Sequence, residues 1–342
     1  MAQPTMEDVA RLAGVSRALV SLVIRESPRV SERSRRDVLA AAERLGYRPN
    51  VLARNLASRR TMTIGVLLND LHNPFFAEVA DGILAASDRA GYRVLFSTGR
   101  CRPAAEARAL EAFLEQRVDG IVLVSPRLPV ARIEAVAADV PVVAVCRSLR
   151  SRLVDTVYND EEQGAHLAVD HLVALGHEDI VHIDGGRGAG SAPRRAAYLR
   201  AMHHHGLGAR ARVVGGDFTE LSGMRAVAGI VRAGPVPTAL FVANDLSAAG
   251  ALSRLDEEGL RVPADVSVVG YDNTMLSAMH HLSLTTIHQP RDEMGRIAIE
   301  TLLERLDRSR CETVSRAVSP SLVVRATTAP VAVRRVRPTE RA

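Results

Sequence analysis

A chain of 342 residues that is 47% hydrophobic and 24% charged has the make-up of a soluble protein of two or three domains, and no run of eighteen apolar residues offers a membrane span. Its three cysteines, Cys101, Cys146 and Cys311, lie far apart and form no CxxC pair, which argues against a zinc site or a disulfide framework and for the reducing cytoplasm. The net charge of +5 is unevenly placed: the first sixty residues carry twelve arginines against six acids, while the remainder is close to neutral, so a polyanion-binding footprint lies at one end.

The opening MAQPTMEDVA lacks the basic-then-apolar layout of a signal peptide. Thr5 followed by Asp8 is a capping-box pattern and predicts a helix from Met6, with Val9, Ala10 and Ala13 on its apolar face. Gly14 can turn the chain in the left-handed conformation, and Val15 can plug the gap between helices. Ser16 then caps a second helix beginning at Arg17. Val20, Val23 and Ile24 face inward at helical spacing, leaving Arg17, Ala18, Ser21, Leu22 and Arg25 outward. Two helices joined in this way form a helix-turn-helix, whose second helix enters the major groove of DNA.

Pro28 breaks that helix, and Ser31 caps a third from Glu32 to Leu45, with Val38, Leu39, Ala42 and Leu45 on one side. Such a small bundle has little core and is only marginally stable alone. In RPNVLARNLASRR, residues 48–60, Asn50 can cap a short helix from Val51 to Ala57 with Leu52, Ala53 and Leu56 on one face. A helix this short does not persist in free solution, so it should form only when docked, with Arg54, Arg59 and Arg60 keeping it near phosphate. The plain alternative is an interdomain linker.

DVARLAGVSRALVS, and then SPRVSERSRRDVLAAAERLGYRPNVLARNL, resemble the DNA-binding headpiece and hinge of the lactose/galactose-repressor family of bacterial transcription regulators. The resemblance implies base readout by Arg17, Ala18 and Leu22, and phosphate contacts at Thr5, Ser16, Ser21, Ser31 and Asn50. It further implies that the hinge segment, including Ala53 and Arg54, lies in the minor groove with Leu56 wedged between base pairs. Leu22 departs from the polar or basic residue of many members. Leucine cannot hydrogen-bond guanine but can touch a thymine methyl, so no family operator sequence carries over.

From Thr61 onward strand-like and helical runs alternate. Strands are predicted at Thr63–Leu68, Arg93–Ser97, Gly120–Val124, Val142–Val145 and Thr156–Tyr158, then at Ile180–Ile183, Arg212–Val214, Ala239–Val242 and Ser267–Val269. Helices are predicted at Phe76–Ala90, Ala104–Gln116, Arg194–His205, Glu220–Arg232 and Asp245–Glu258. Two series of this kind imply two parallel-sheet α/β subdomains, with ligand bound beyond the carboxyl ends of the strands. IGVLLNDLHNPFF, FVANDLSAAGAL and VSVVGYDN resemble the body of the same family, which is similar to periplasmic sugar-binding proteins. The expected division is a headpiece at 1–47, a hinge at 48–60, an effector-binding body at 61–330 and a basic tail at 331–342. The body should comprise one subdomain of about 61–160 plus 291–320 and another of about 161–290 plus 321–330.

Loops after strands offer Asp70, Asn73, Phe75, Arg147, Arg194, Phe218, Asn244 and Asp272. Carboxylate, amide and guanidinium groups beside an aromatic face suit a sugar, sugar phosphate or nucleoside. Tryptophan is absent, so Phe75 and Phe218 are the expected stacking faces. The resemblance places Arg147, Arg194, Asn244 and Asp272 at effector-contacting positions, with Arg195 beside Arg194 as the competing match. The alternative is structural: Asn244 and Asp272 as helix caps and Phe218 as core. DGGRGAGS, residues 184–191, follows a strand but fits no phosphate-loop pattern and reads as an effector loop. His203, His204 and His205 are consecutive and spread around a helix rather than converging on a metal. No GxSxG elbow appears and no cofactor is implied. The expectation is a homodimeric, effector-controlled DNA-binding regulator, most often a repressor in this family, acting on a near-palindromic operator. The competing readings are a transporter's solute-binding protein and a sugar-active enzyme with an accessory DNA domain.

Overall fold

The first helix starts where its cap dictates. In the computed structural model, which describes residues 4–24, 27–47 and 60–331, Thr5 Oγ1 accepts from the Asp8 amide at 3.3 Å and the Asp8 carboxylate accepts from the Thr5 amide at 2.9 Å. Helix α1 (Met6–Ala13) ends on Gly14 at φ 66°, a left-handed value that a Cβ would strain. Ser16 Oγ accepts from the Leu19 amide at 3.2 Å and opens α2 (Arg17–Ile24). Ser31 does the same for α3 (Glu32–Leu45), accepting from the Ser34 amide at 3.2 Å. Val9, Ala10, Val20, Val23, Val30, Val38 and Ala41 make the core of this bundle.

One inward-facing expectation fails here. Leu39 is 53% exposed, and Ala41 is buried in its place. Helical period explains it: Val38, Ala41, Ala42 and Leu45 fall on one stripe, and Leu39 is turned about 100° away from Val38. Arg25, Asn50, Ala53, Arg54, Leu56 and the short helix expected at Val51 to Ala57 lie outside the described residues.

The chain divides into Met1–Thr61 and Met62–Ala342. The second unit begins with β1 (Thr63–Leu68), α4 (Pro74–Arg89), β2 (Arg93–Thr98), α5 (Pro103–Glu115), β3 (Gly120–Val124), α6 (Val130–Ala137), β4 (Val142–Val145) and β5 (Val154–Asn159). It continues through α7 (Glu161–Ala174), β6 (Ile180–Ile183), α8 (Ser191–His204), β7 (Arg212–Val214), α9 (Glu220–Ala233), β8 (Ala239–Val242), α10 (Asp245–Glu257), β9 (Ser267–Asp272) and β10 (Thr285–His288). It closes with α11 (Arg291–Leu306), β11 (Ser315–Val318) and β12 (Ser321–Val323).

These strands form two six-stranded sheets, ordered β11-β5-β4-β3-β1-β2 and β12-β10-β9-β8-β6-β7. Every pairing is parallel except β10 with β12. Strands β3 (GIVLV) and β4 (VVAV) are buried throughout, which is why they are continuous apolar runs rather than alternating ones. The chain leaves the first sheet after β5, builds the second through β10, and returns as α11, which packs on β3, β4 and β5. It then lays β11 beside β5 and crosses again to add β12 to β10. Strands β10, β11 and β12, and helices α6, α7 and α11, are absent from the elements named from sequence.

Candidate functional site

The residues expected to read the groove form an exposed patch on α2. Arg17 and Ala18 are exposed, Ser21 is half-buried and Leu22 is 39% exposed, whereas Val20 and Val23 point into the core. The burial of one stripe frees the other for a base edge. Thr5, Ser16 and Ser31 sit at helix N-termini, where backbone amides already favour an anion. Their hydroxyls also have structural work. Thr5 Oγ1 donates to Asp8 Oδ2 at 2.7 Å, and Ser31 Oγ donates to Ser34 Oγ at 3.0 Å.

In the second unit, the loops following the strands line a cleft open to solvent. Asp70, Asn73, Phe75, Arg194, Phe218, Asn244 and Asp272 all line it. Arg147 does not. Its Nη1 donates to the Pro126 carbonyl at 3.1 Å and the Leu128 carbonyl at 2.7 Å, placing it at the wider mouth.

Arg194, rather than its neighbour Arg195, reaches the cleft. Its Nε and Nη2 donate to the two oxygens of Glu161 at 2.8 and 3.0 Å, and Nη1 donates to the Ala243 carbonyl. Its guanidinium lies 3.4 Å from the centre of the Tyr271 ring. Burial alone would pull such a cation's pKa down, but Glu161 and the surrounding charges hold it above the ordinary arginine value. Arg195 turns away and pairs with Asp184 at 3.0 Å.

Asp272 ends β9 at φ 107° and accepts from Gln289 Nε2 at 2.5 Å. Burial, reinforced by nearby Asp245, pushes its carboxyl well above the usual range, while Arg194, Arg291 and the Gln289 hydrogen bond act in the opposite direction. Asn244 caps α10, accepting from the Ser247 amide at 2.9 Å while its Nδ2 donates to the Phe218 carbonyl at 3.1 Å. The capping role and the cleft position therefore coexist. Asn73 likewise caps α4, accepting from the Phe75 amide at 3.0 Å. Asp70 accepts from the His72 amide at 3.0 Å.

Phe218 sits at φ 69° with its ring against Gly185 and Gly188. A Cβ at either glycine would overlap the ring. The glycines of the 184–191 segment thus admit an aromatic face rather than cradle phosphate. Phe75 packs edge-on to Phe76 at 5.4 Å and belongs to the core as well as to the cleft wall.

Asn69, Ser125, Arg127, Glu161 and Gln289 line the cleft without having been singled out from sequence. Asn69 Oδ1 is buried and has no hydrogen-bond partner. The signal was present for Asn69 and Ser125, which directly follow expected strands, whereas Gln289 follows β10 and Glu161 opens α7, neither of which was expected from sequence. Cys101 and Cys146 also line it, and burial pushes both thiols up, so neither presents a thiolate. His205 pairs with Asp170, and no metal-holding cluster occurs among the described residues.

Residues 5–50 match the family described as bacterial regulatory proteins, lacI family, and residues 169–328 match a periplasmic binding protein-like domain. Catabolite control protein A of Priestia megaterium is 36% identical over 318 residues, 92% of this chain and 95% of its own. The HTH-type transcriptional repressor PurR of Vibrio campbellii is 37% identical over 328 residues, 94% of this chain and 98% of its own. Among solved structures, the Lac repressor dimer bound to operator and the anti-inducer ONPF is similar at a TM-score of 0.88 and 33% identity, with 96% of this chain and 100% of that chain covered.

Proposed function

The chain belongs to the lacI family of bacterial regulatory proteins, and we propose that the cleft between its two sheets is the effector site that sets how tightly its headpiece holds an operator. It is a DNA-binding transcriptional regulator of repressor type that works as a dimer on operator DNA under the control of a small molecule. A solute-binding role in transport is not favoured, given the headpiece and the arginine excess in front of it. The proposal includes the division into headpiece 1–47, hinge 48–60 and body 61–330. It assigns the cytoplasm as the working compartment and no catalytic step.

Each headpiece takes one half of a near-palindromic site, with α2 in the major groove: Arg17, Ala18 and Leu22 toward bases, and Thr5, Ser16, Ser21, Ser31 and Asn50 toward phosphates. Ala53, Arg54 and Leu56 complete the contact through the minor groove. The single observation that carries the effector reading is the convergence of a buried arginine, a buried carboxyl, two capping amides and a half-buried aromatic ring on one cavity. That set fits a polyhydroxylated ring of the sugar or nucleoside type, including phosphorylated ones. Cellobiose is bound by a similar solved structure, the transcriptional regulator CelR, with a TM-score of 0.71 and 31% identity.

The test is a thermal-shift screen of the full chain against sugars, sugar phosphates and nucleosides, followed by operator binding with each hit. A true effector raises the melting temperature by linkage and changes operator affinity, and Phe218→Ala abolishes both effects. A hit that stabilises the protein equally in the Phe218→Ala variant would place the effector elsewhere.

A further inference from the structure

Beside its deep part the cleft widens into an outer compartment of about 2010 Å³, and the two share Arg127, Cys146, Glu161, Asp217 and residues 188–190. The charges around this outer space are unevenly matched. Glu161 is taken by Arg194, Glu162 by Arg200 and His166, and Asp217 by Thr219 and Arg225. Asp160 accepts from the Gln163 amide at the start of α7.

Three guanidiniums have no such partner. Arg147 Nη1 donates to the Pro126 and Leu128 carbonyls, the backbone groups on either side of residue 127 in the chain. Arg127 Nη1 donates to the Cys101 carbonyl at 2.9 Å, and its Nε is buried without any hydrogen bond. Arg187 stands exposed on the glycine-rich segment opposite. None of the three forms an ion pair among the described residues. Glu106, whose charge acts on both Arg127 and Arg147, is fully buried, and its carboxylate accepts from the Arg127 and Leu128 backbone amides at 2.9 to 3.0 Å rather than from a guanidinium. Burial draws the Arg147 guanidinium below its ordinary pKa, and the buried Glu106 carboxylate pulls the other way.

We propose that Arg127, Arg147 and Arg187 form an anion subsite in the outer compartment, and that the effector is a phosphate monoester whose ring lies in the deeper cleft against Phe218 and Asn69. A planar guanidinium presents paired N–H donors that match phosphate oxygens, and such bonds are roughly twice as strong as neutral ones. This deepens the effector reading above and rests on it.

The experiment uses the full-length protein and matched pairs: glucose with glucose 6-phosphate, fructose with fructose 6-phosphate, adenosine with AMP. At least one ester should bind about tenfold tighter than its neutral parent, and Arg147→Gln and Arg187→Gln should each reduce that ratio severalfold. A second measurement needs no ring. Inorganic phosphate should slow phenylglyoxal modification of Arg127, Arg147 and Arg187 relative to Arg200, which shares the compartment but is already paired with Glu162. Esters that bind no tighter than their parents, or arginines that phosphate protects no better than Arg200, overturn the proposal. Failure of the effector reading looks different: a compound binds, yet operator affinity and the Phe218→Ala variant do not respond to it.

Discussion

A buried charge is held by one specific partner, and removing that partner exposes the cost. The Arg194 side chain is 4% exposed and Glu161 neutralises it through two hydrogen bonds. Glu161→Gln should destabilise the second unit by about 3 kcal/mol in urea denaturation, because the guanidinium keeps its charge against Tyr271. Adding Arg194→Met should recover much of that loss; equal destabilisation in single and double variants would show that packing, not charge, is at stake. His182 gives a pH-dependent case. It lies between the Tyr198 and Phe241 rings, with centroids at 5.1 and 4.8 Å, and its Nδ1 donates to the Phe241 carbonyl at 2.9 Å. Burial draws its pKa from 6.5 down to about 4. Between those values the unfolded chain binds the proton and the folded chain does not, so stability falls as pH drops through that window, by up to about 3 kcal/mol. Asp245, raised by burial to about 6, contributes the opposite slope, but equally with and without His182. The His182→Phe variant should therefore lose less stability than the parent between pH 6.5 and 4; parallel curves would contradict the buried neutral imidazole. Residues of this kind were legible in sequence when they followed a recognisable strand, as Asn244 and Asp272 do. Gln289 follows β10, which was not anticipated, and Glu161 opens α7, which was not either.

Elements were legible in proportion to how much apolar surface they bury in sequence order. The central strands β1, β3, β4, β6 and β8 are short apolar runs, and their bounds agree with the expectation residue for residue. Strands β10, β11 and β12 read TTIH, SRAV and SLV, too short and too polar to stand out, and β11 and β12 are edge strands. Their place is set by the returning chain, a tertiary cause that local pattern does not encode. Caps were the most reliable local signal, because a side-chain oxygen and a backbone amide meet within three residues. The small bundle of α1, α2 and α3 has few buried residues to spare, so caps weigh heavily in it. Thr5→Ala should cost that bundle about 1 kcal/mol, read as a lower melting temperature, and Thr5→Ser should restore most of it. An unchanged melting temperature in the alanine variant would mean that the capping box contributes nothing in solution.

At the scale of the whole molecule the question is how a ring in the body alters a grip on DNA. A ligand that binds one arrangement of the two sheets better than another can shift operator affinity only by that difference, typically ~1–3 kcal/mol. The arrangement has identifiable ties across the cleft: Asn159 at the end of β5 donates to the Tyr271 hydroxyl at 2.7 Å, Glu78 of α4 accepts from the Met275 amide at 3.2 Å, and Arg291 of α11 donates to the Asn273 carbonyl at 2.7 Å. The segment proposed to read that change is 48–60, where the seven-residue helix expected from sequence would be too short to hold without a dock. Leu56 is the residue to probe, since a wedge between base pairs costs a few kcal/mol of unstacking and returns it only on a site that bends correctly. Nonspecific binding rests on arginine–phosphate charge and needs no wedge. Leu56→Ala should therefore weaken binding to the specific operator while leaving the affinity for random duplex, and its slope against salt, near the parent values. Titrations of both duplexes at several salt concentrations separate the two terms, and an equal loss on both would remove Leu56 from the base stack and make it an ordinary contact of the linker.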